Sequence, residues 1–380
     1  MLWFICSAVA KKNAAKELFP SNEPDESAPP SPTQAAPVPK GPLYNYYNVT
    51  ESKENFTLSM HVLEVDLSNP YVIVRPVTSH STLFGYAFLS EMHEKWEAVA
   101  SVNGGFSHTY GLPGGMYAAY GELFTTATGQ YPVLFLKEDK VFFEDVKTFV
   151  HLEGKMDDAG NTVRMGSIYY NQYPKGEGLF VFTPSYGSEN RIDKPHLNAV
   201  ISNGEVRGLA TSHKSFEIPK DGFLVSAIGD YAVKRLESLV EPGMKLEIVH
   251  ETLTIKGDKV QYDWAFECGS RIIKDGEIVV PDSDTWVGTL NSRAPRTAVG
   301  IKDDGTLVFV AVDGRQKGLS DGLTGKELAQ RLLTLGIKDA AFLDGGASTE
   351  MIVDGKIVNS PSAGRERMIA SCFIIKERQQ

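Results

Sequence analysis

From Tyr44 onward, short runs of β-forming residues alternate with polar, glycine-containing turns. Asn203-Gly204, Asp275-Gly276, Asp304-Gly305 and Asp354-Gly355 each lie between such runs, as in Met351-Ile352-Val353 before Asp354. Asx-Gly between strands predicts tight hairpins of type I′. Helical periodicity is confined to three stretches: Phe88 to Trp96, Asp230 to Leu239 before Glu241-Pro242-Gly243, and Thr324 to Leu335. In the third, Thr324 is the expected N-cap and Glu327 its capping-box partner. Leu328, Leu332 and Leu335 form one stripe, and Gly336 closes the helix. The pattern predicts an α+β fold: one strand-rich domain with mixed sheets and many hairpins.

The neighbours of the third helix carry the first functional signal. Leu307 to Val312 (LVFVAV) is apolar throughout and ends at Asp313-Gly314-Arg315; Ala340 to Leu343 (AAFL) ends at Asp344-Gly345-Gly346. Strand, helix, strand at this spacing predicts one βαβ unit with parallel strands. Both aspartates then lie at the carboxyl edge of one sheet, where ligands bind in open α/β sheets. Neighbouring strands would put them ~4.8 Å apart, and one intervening strand about twice that. Either Asp-Gly pair alone reads better as a simple turn; their paired placement points toward function.

Composition narrows the ligand. The chain has 380 residues, with 38 Lys and Arg against 48 Asp and Glu, a net charge of −10. Nucleic acid is therefore excluded as an expected partner. An anionic ligand must be held locally by arginines and backbone amides. Arg293, Arg296, Arg315, Arg365 and Arg367 cluster near the two aspartates in sequence, Arg365 reading best as a solvated surface residue. Gly345-Gly346-Ala347-Ser348 has the small residues of an anion-binding nest. Asn103-Gly104-Gly105-Phe106 and Leu112-Pro113-Gly114-Gly115 place two glycine pairs close together, yet neither matches a nucleotide-binding loop. His108 reads as a loop histidine or an extra acid. Cys6, Cys268 and Cys372 lack zinc spacing, so no metal site is expected, although a divalent cation would suit the aspartates.

The start of the chain is a separate unit. Leu2 to Ala10 is a short apolar run ending in Ala8-Val9-Ala10, followed by a segment rich in Pro, Ser and acidic residues to Pro42. Residues 1–43 read as a shortened leader or membrane anchor with a Pro-rich linker, or as a plain disordered start. Residues 44–95 are expected as a strand-rich extension packed on a body of residues 96–380. An exported or cell-surface protein is expected, touching a membrane only through that start.

Taken jointly, Asn103-Gly104-Gly105-Phe106, Arg296-Thr297-Ala298-Val299-Gly300, Asp313-Gly314-Arg315, Leu343-Asp344-Gly345-Gly346-x-Ser348, Asn359-Ser360-Pro361 and Arg367 resemble the phosphodiester glycosidase family. Ser107, where relatives often have an aromatic, and Ala347, where they usually have Gly, depart from it. Glu350 falls at a position where the family varies, and no role is carried to it. The resemblance implies hydrolysis of a sugar-1-phosphodiester at its C–O bond in a glycan or cell-surface polysaccharide, without a required cofactor; bacterial relatives are often linked to exopolysaccharide. It implies Asp313 and Asp344 as catalytic carboxylates. Phosphate would be held by Arg296, Arg315, Arg367 and the turn at Gly345, Gly346 and Ser348, and the sugar by Asn103, Gly104 and Gly105. Two alternatives stay open: a non-catalytic module for anionic polysaccharide, and a phosphodiesterase cutting P–O.

Overall fold

The computed structural model describes residues 41–155 and 162–379. The readings of Cys6 and of the leader-like and Pro-rich segments lie outside the described residues. Leu43–Gln380 form one compact unit.

The strand Leu307–Val312 explains the architecture around it. Its alternate residues Val308, Val310 and Val312 join one apolar cluster, while Leu307, Phe309 and Ala311 join another. Both faces are buried, which is why the run is apolar throughout. It lies third in a seven-stranded sheet with the order Asn45–Lys53, Phe56–Val65, Leu307–Val312, Arg296–Lys302, Ile337–Phe342, Arg271–Lys274, Glu277–Ile278. On one face the helix Gly325–Thr334 packs Leu328, Ala329 and Leu332 against the sheet. On the other, Phe309 and Val299 meet Val74, Val102, Phe373 and Ile375 of a five-stranded sheet. That sheet is covered in turn by Leu89 and Met92 of the helix Leu89–Lys95. The result is a helix–sheet–sheet–helix stack. Beside it, an eight-stranded sheet, the helix Asp230–Leu239 and a second five-stranded sheet enclose a further apolar cluster.

The expected βαβ unit is present with one strand interposed. Arg296–Lys302 runs antiparallel to both Leu307–Val312 and Ile337–Phe342, so the latter two are parallel to each other. Thr324 accepts a hydrogen bond from the Glu327 amide and closes the expected capping box. Three hairpins hold the predicted turn: Asn203 and Gly204, Asp275 and Gly276, and Asp354 and Gly355 all have positive φ. Asp304-Gly305 does not, because only Gly305 has positive φ and the Asp304 carboxylate instead accepts from the Thr306 amide.

Residues 44–95, expected as an extension packed on the body, supply strands to its sheets. Phe56–Val65 pairs with Leu307–Val312, and Val72–Thr78 pairs with Ser371–Glu377. Leu58, Met60 and Val62 fill one face of the large sheet and Leu63 and Val65 the other. The stretch is part of the core, because its strands bury both faces. Cys268 and Cys372 are buried, unpaired thiols.

Candidate functional site

Antiparallel pairing brings the start of Arg296–Lys302 level with the ends of its two neighbours: Arg296 faces Val312 and Ala298 faces Phe342. Asp313 and Asp344 therefore leave the same sheet edge on either side of one strand, about 10 Å apart by strand spacing.

Their surroundings differ. Asp313 is 2 % exposed. One carboxylate oxygen accepts from the Ser360 amide (2.8 Å) and Asn359 Nδ2 (3.2 Å), and the other lies 3.2 Å from His61 Nε2. His61 Nδ1 is 2.9 Å from the Tyr46 hydroxyl. Three protein groups thus engage the Asp313 carboxylate, and it lies buried rather than at the open side of the edge. His61 comes from the strand paired with the one before Asp313 and gave no sequence motif; only its polar character on a core strand marked it.

Asp344 is half-buried. Burial raises its carboxyl above the ordinary value, opposed by a hydrogen bond from Ser348, the nearby Arg367 charge and the Gly345 amide. A carboxyl with raised affinity for protons at a partly open sheet edge is suited to acid–base work.

The Gly345-Gly346 turn is not the expected nest. The Gly345 amide turns to the Asp344 carboxylate, the Gly346 amide to the Pro295 carbonyl (2.9 Å), and Ser348 donates to Asp344. Their groups set the aspartate and leave little for an external phosphate. Gly346 has φ +62°, and an added Cβ would lie 3.4 Å from the Arg315 guanidinium, which places Arg315 against this turn. Arg315 and Arg367 are exposed, and among the described residues neither guanidinium has a hydrogen-bond or ion-pair partner. They fit the expected role best.

Arg296 does not. It is 3 % exposed, and its guanidinium donates to the carbonyls of Leu323 (3.1 Å), Ser292 (2.8 Å) and Thr289 (3.2 Å). Expected at the phosphate, it instead donates to the carbonyls of two loops in this structure. Arg293 pairs with Glu327 through bonds of 2.6 to 3.2 Å.

Asn103 is fully buried. Its Nδ2 donates to the Asp344 carbonyl at 2.6 Å, and its Oδ1 accepts from Thr297 Oγ1 (2.8 Å) and the Glu350 amide (3.1 Å). No capacity remains for a sugar hydroxyl. Gly104 is likewise engaged: its carbonyl accepts from the Asp344 amide, and a Cβ there would press on Ser371. Gly105, half-buried, is needed because a Cβ would meet the Phe266 ring at 2.8 Å. Asn103 and Gly104, expected to bind sugar, bond to Asp344 in this structure.

A continuous polar chain results. Asp313 meets Asn359, which donates to the Thr349 carbonyl (3.1 Å); Thr297 bonds both Thr349 and Asn103; and Asn103 holds Asp344. Thr297, on the intervening strand, is its midpoint. Glu350, given no role from sequence, is 1 % exposed and shares a hydrogen bond with Glu366. Burial and that neighbour push its carboxyl up to about 9, so it is protonated near neutral pH. Glu366 accepts from the Ser90 amide (3.0 Å) and hydroxyl (2.8 Å), and its chain neighbour is Arg367. The pair thereby seats the loop that carries Arg367. Among the described residues, no three His, Cys, Asp or Glu side chains converge as a metal cluster.

The chain is similar to several known proteins. Over 181 residues the chain is 33% identical to the SPbeta prophage-derived uncharacterized protein YomE of Bacillus subtilis (strain 168), covering 46% of this chain and 26% of that protein. Over 176 residues it is 24% identical to mouse N-acetylglucosamine-1-phosphodiester alpha-N-acetylglucosaminidase, covering 43% of this chain and 33% of that protein. The matched part is thus about a quarter to a third of these relatives' length. The fold is similar to that of a hypothetical protein from Synechocystis, with a TM-score of 0.73 at 18% identity over 88% of this chain and 62% of the other. It is also similar to a Burkholderia pseudomallei protein described as a candidate exported protein, with a TM-score of 0.67 at 21% identity over 84% and 74%. No described helix is long and apolar enough to cross a membrane. The family model for phosphodiester glycosidases matches residues 181–376, the segment that carries Arg296, Asp313, Asp344 and Arg367. The chain belongs to the phosphodiester glycosidase family.

Proposed function

We propose that this protein hydrolyses a sugar-1-phosphodiester at the bond between the anomeric carbon and oxygen. The observation that supports it is a half-buried Asp344 with raised proton affinity, beside Arg367 and the Gly346 turn that Arg315 overlies. A phosphate ester is a weakly basic leaving group and needs little help from an acid. The demands are a negative group near the developing oxocarbenium ion, activation of water, and a hold on the departing anion. Ionised Asp344 meets the first two, its raised pKa making it the stronger base. Arg315 and Arg367 meet the third through charge-assisted hydrogen bonds. Asp313, with His61, Asn359 and Ser360, holds the floor. One carboxylate acting on water gives inversion at the anomeric carbon.

The reading requires no cofactor. A glycan or cell-surface polysaccharide is the proposed substrate, met outside the cell; the described fold of the Burkholderia protein supports export only by analogy. The test is to incubate the purified chain with UDP-N-acetylglucosamine and with alkyl and aryl diesters of several sugar 1-phosphates. Release of reducing sugar is expected. Intact diesters alongside measurable binding would instead identify a polysaccharide-binding module.

A further inference from the structure

The motif Leu112-Pro113-Gly114-Gly115 takes no part in the Asp344 cluster. It lines a cavity of about 290 Å³ together with Thr125–Thr128, Asn171–Tyr173 and Lys175, and none of Asp344, Arg315 and Arg367 is among the lining residues. That volume is at the small end of the usual ligand-pocket range of ~300–1,000 Å³ and suits one sugar ring.

The walls are preformed. Glu267, buried behind them, accepts from the amides of Met116 (2.8 Å) and Thr128 (2.9 Å) and so clamps two walls together. A Cβ on Gly115 would come within 2.5 Å of that carboxylate, so the wall can approach Glu267 only as glycine. Thr125 Oγ1 donates to the Gly115 carbonyl at 2.6 Å, and Asn171 is satisfied by Phe124 and Thr183.

Beside the lining residue Tyr173, though not itself a lining residue, stands Tyr110, 56% exposed and in the left-handed region at φ +65°. That conformation is strained for a residue that carries a Cβ. The Gly85 amide holds it by donating to the Tyr110 carbonyl at 2.7 Å, and a Cβ on Gly111 would collide with the Gly85 carbonyl. The Tyr110 ring lies 6.0 Å from that of Tyr173. An exposed, strained and well-held tyrosine beside a second one is a platform for an apolar ring face. Although the whole chain is acidic, no carboxylate lines this cavity, whereas His108 and Lys175 do. Among the described residues Lys175 Nζ has no hydrogen-bond or ion-pair partner.

We infer that this cavity binds a pyranose carrying an anionic group, with the ring against Tyr110 and Tyr173 and the anion at Lys175. The site is independent of hydrolysis at Asp344. The shared chemistry is an acidic sugar, supplied by a uronate or by a sugar phosphate.

The test is calorimetric titration of the full chain with trigalacturonate, its methyl ester and glucose 6-phosphate. At least one acidic probe is expected to bind in the millimolar range or tighter, and Asp344→Asn to bind it equally well. Tyr110→Ala and Lys175→Gln are each expected to weaken that binding roughly tenfold. Sensitivity of trigalacturonate alone assigns a uronate, and of glucose 6-phosphate alone a sugar phosphate. The inference is overturned if both substitutions leave binding unchanged, if the methyl ester binds as well as trigalacturonate, if Asp344→Asn removes the binding, or if neither acidic probe binds.

Discussion

Asn103 Nδ2 donates a 2.6 Å hydrogen bond to the carbonyl of Asp344, a residue 241 positions later in the chain. The contact joins the glycine pair after the strand Ala100–Asn103 to the turn after Ile337–Phe342. It also explains why an asparagine is needed there: one side chain must donate to a carbonyl and accept from both Thr297 and Glu350.

Replacing Asn103 by Ala leaves the Asp344 carbonyl, the Thr297 hydroxyl and the Glu350 amide short of a buried partner. Stability should fall by about 2–4 kcal/mol. Denaturant unfolding with an unchanged m-value would record it. Turnover should fall further than stability explains, because Asp344 loses its support. Wild-type stability in the variant would show that water replaces the amide.

The arginines separate into two classes. Arg315→Ala and Arg367→Ala should each weaken use of a phosphodiester by roughly ten- to a hundred-and-fifty-fold, the loss of a charge-assisted bond of ~1.5–3 kcal/mol, with little change in melting temperature. Arg296→Ala should lower the melting temperature, since three carbonyls lose their donor. The comparison requires kinetics and thermal melts on all three variants; a cold-stable, substrate-blind Arg296 variant would return that residue to the phosphate site.

The Glu350–Glu366 pair makes stability depend on pH. The Glu350 pKa is raised from 4.5 to about 9 in the folded chain, so the native state retains a proton that the unfolded state releases. Stability should therefore decline as pH rises from 4.5 to about 9. Glu350→Gln keeps a donor for Glu366 and removes the ionisation. It should be more stable than the parent at pH about 8.5 by at least about 1 kcal/mol and nearly equal at pH about 5. Parallel melting curves at both pH values would contradict this. The same ionisation should loosen the Arg367 loop and reduce activity on the alkaline side.

Much of the architecture could be read locally. LVFVAV announced a strand, and Thr324 with Glu327 announced a cap, because each depends on neighbouring residues alone. The shared edge of Asp313 and Asp344 followed from connection rules. What could not be read was orientation. Asp-Gly looks the same whether the residue is half-buried beside Ser348, as with Asp344, or enclosed by His61, Asn359 and Ser360, as with Asp313. Gly345-Gly346 looks like a nest until its amides are followed to Asp344 and Pro295. Arg296 and Arg367 are chemically identical in sequence, and only long-range packing assigns one to carbonyls and leaves the other at the surface. His61 and Glu350 depend on partners 252 and 16 residues away and belong to no motif that sequence spacing exposes.

The central claim is that Asp344 directs water to an anomeric carbon. Hydrolysis of a sugar-1-phosphodiester in oxygen-18 water tests it most directly, with Asp344→Asn run alongside. The label is predicted in the anomeric hydroxyl, with inverted configuration and an unlabelled phosphate ester. Asp344→Asn should bind the diester but not cleave it. Label in the phosphate, or full cleavage by Asp344→Asn, would contradict the account.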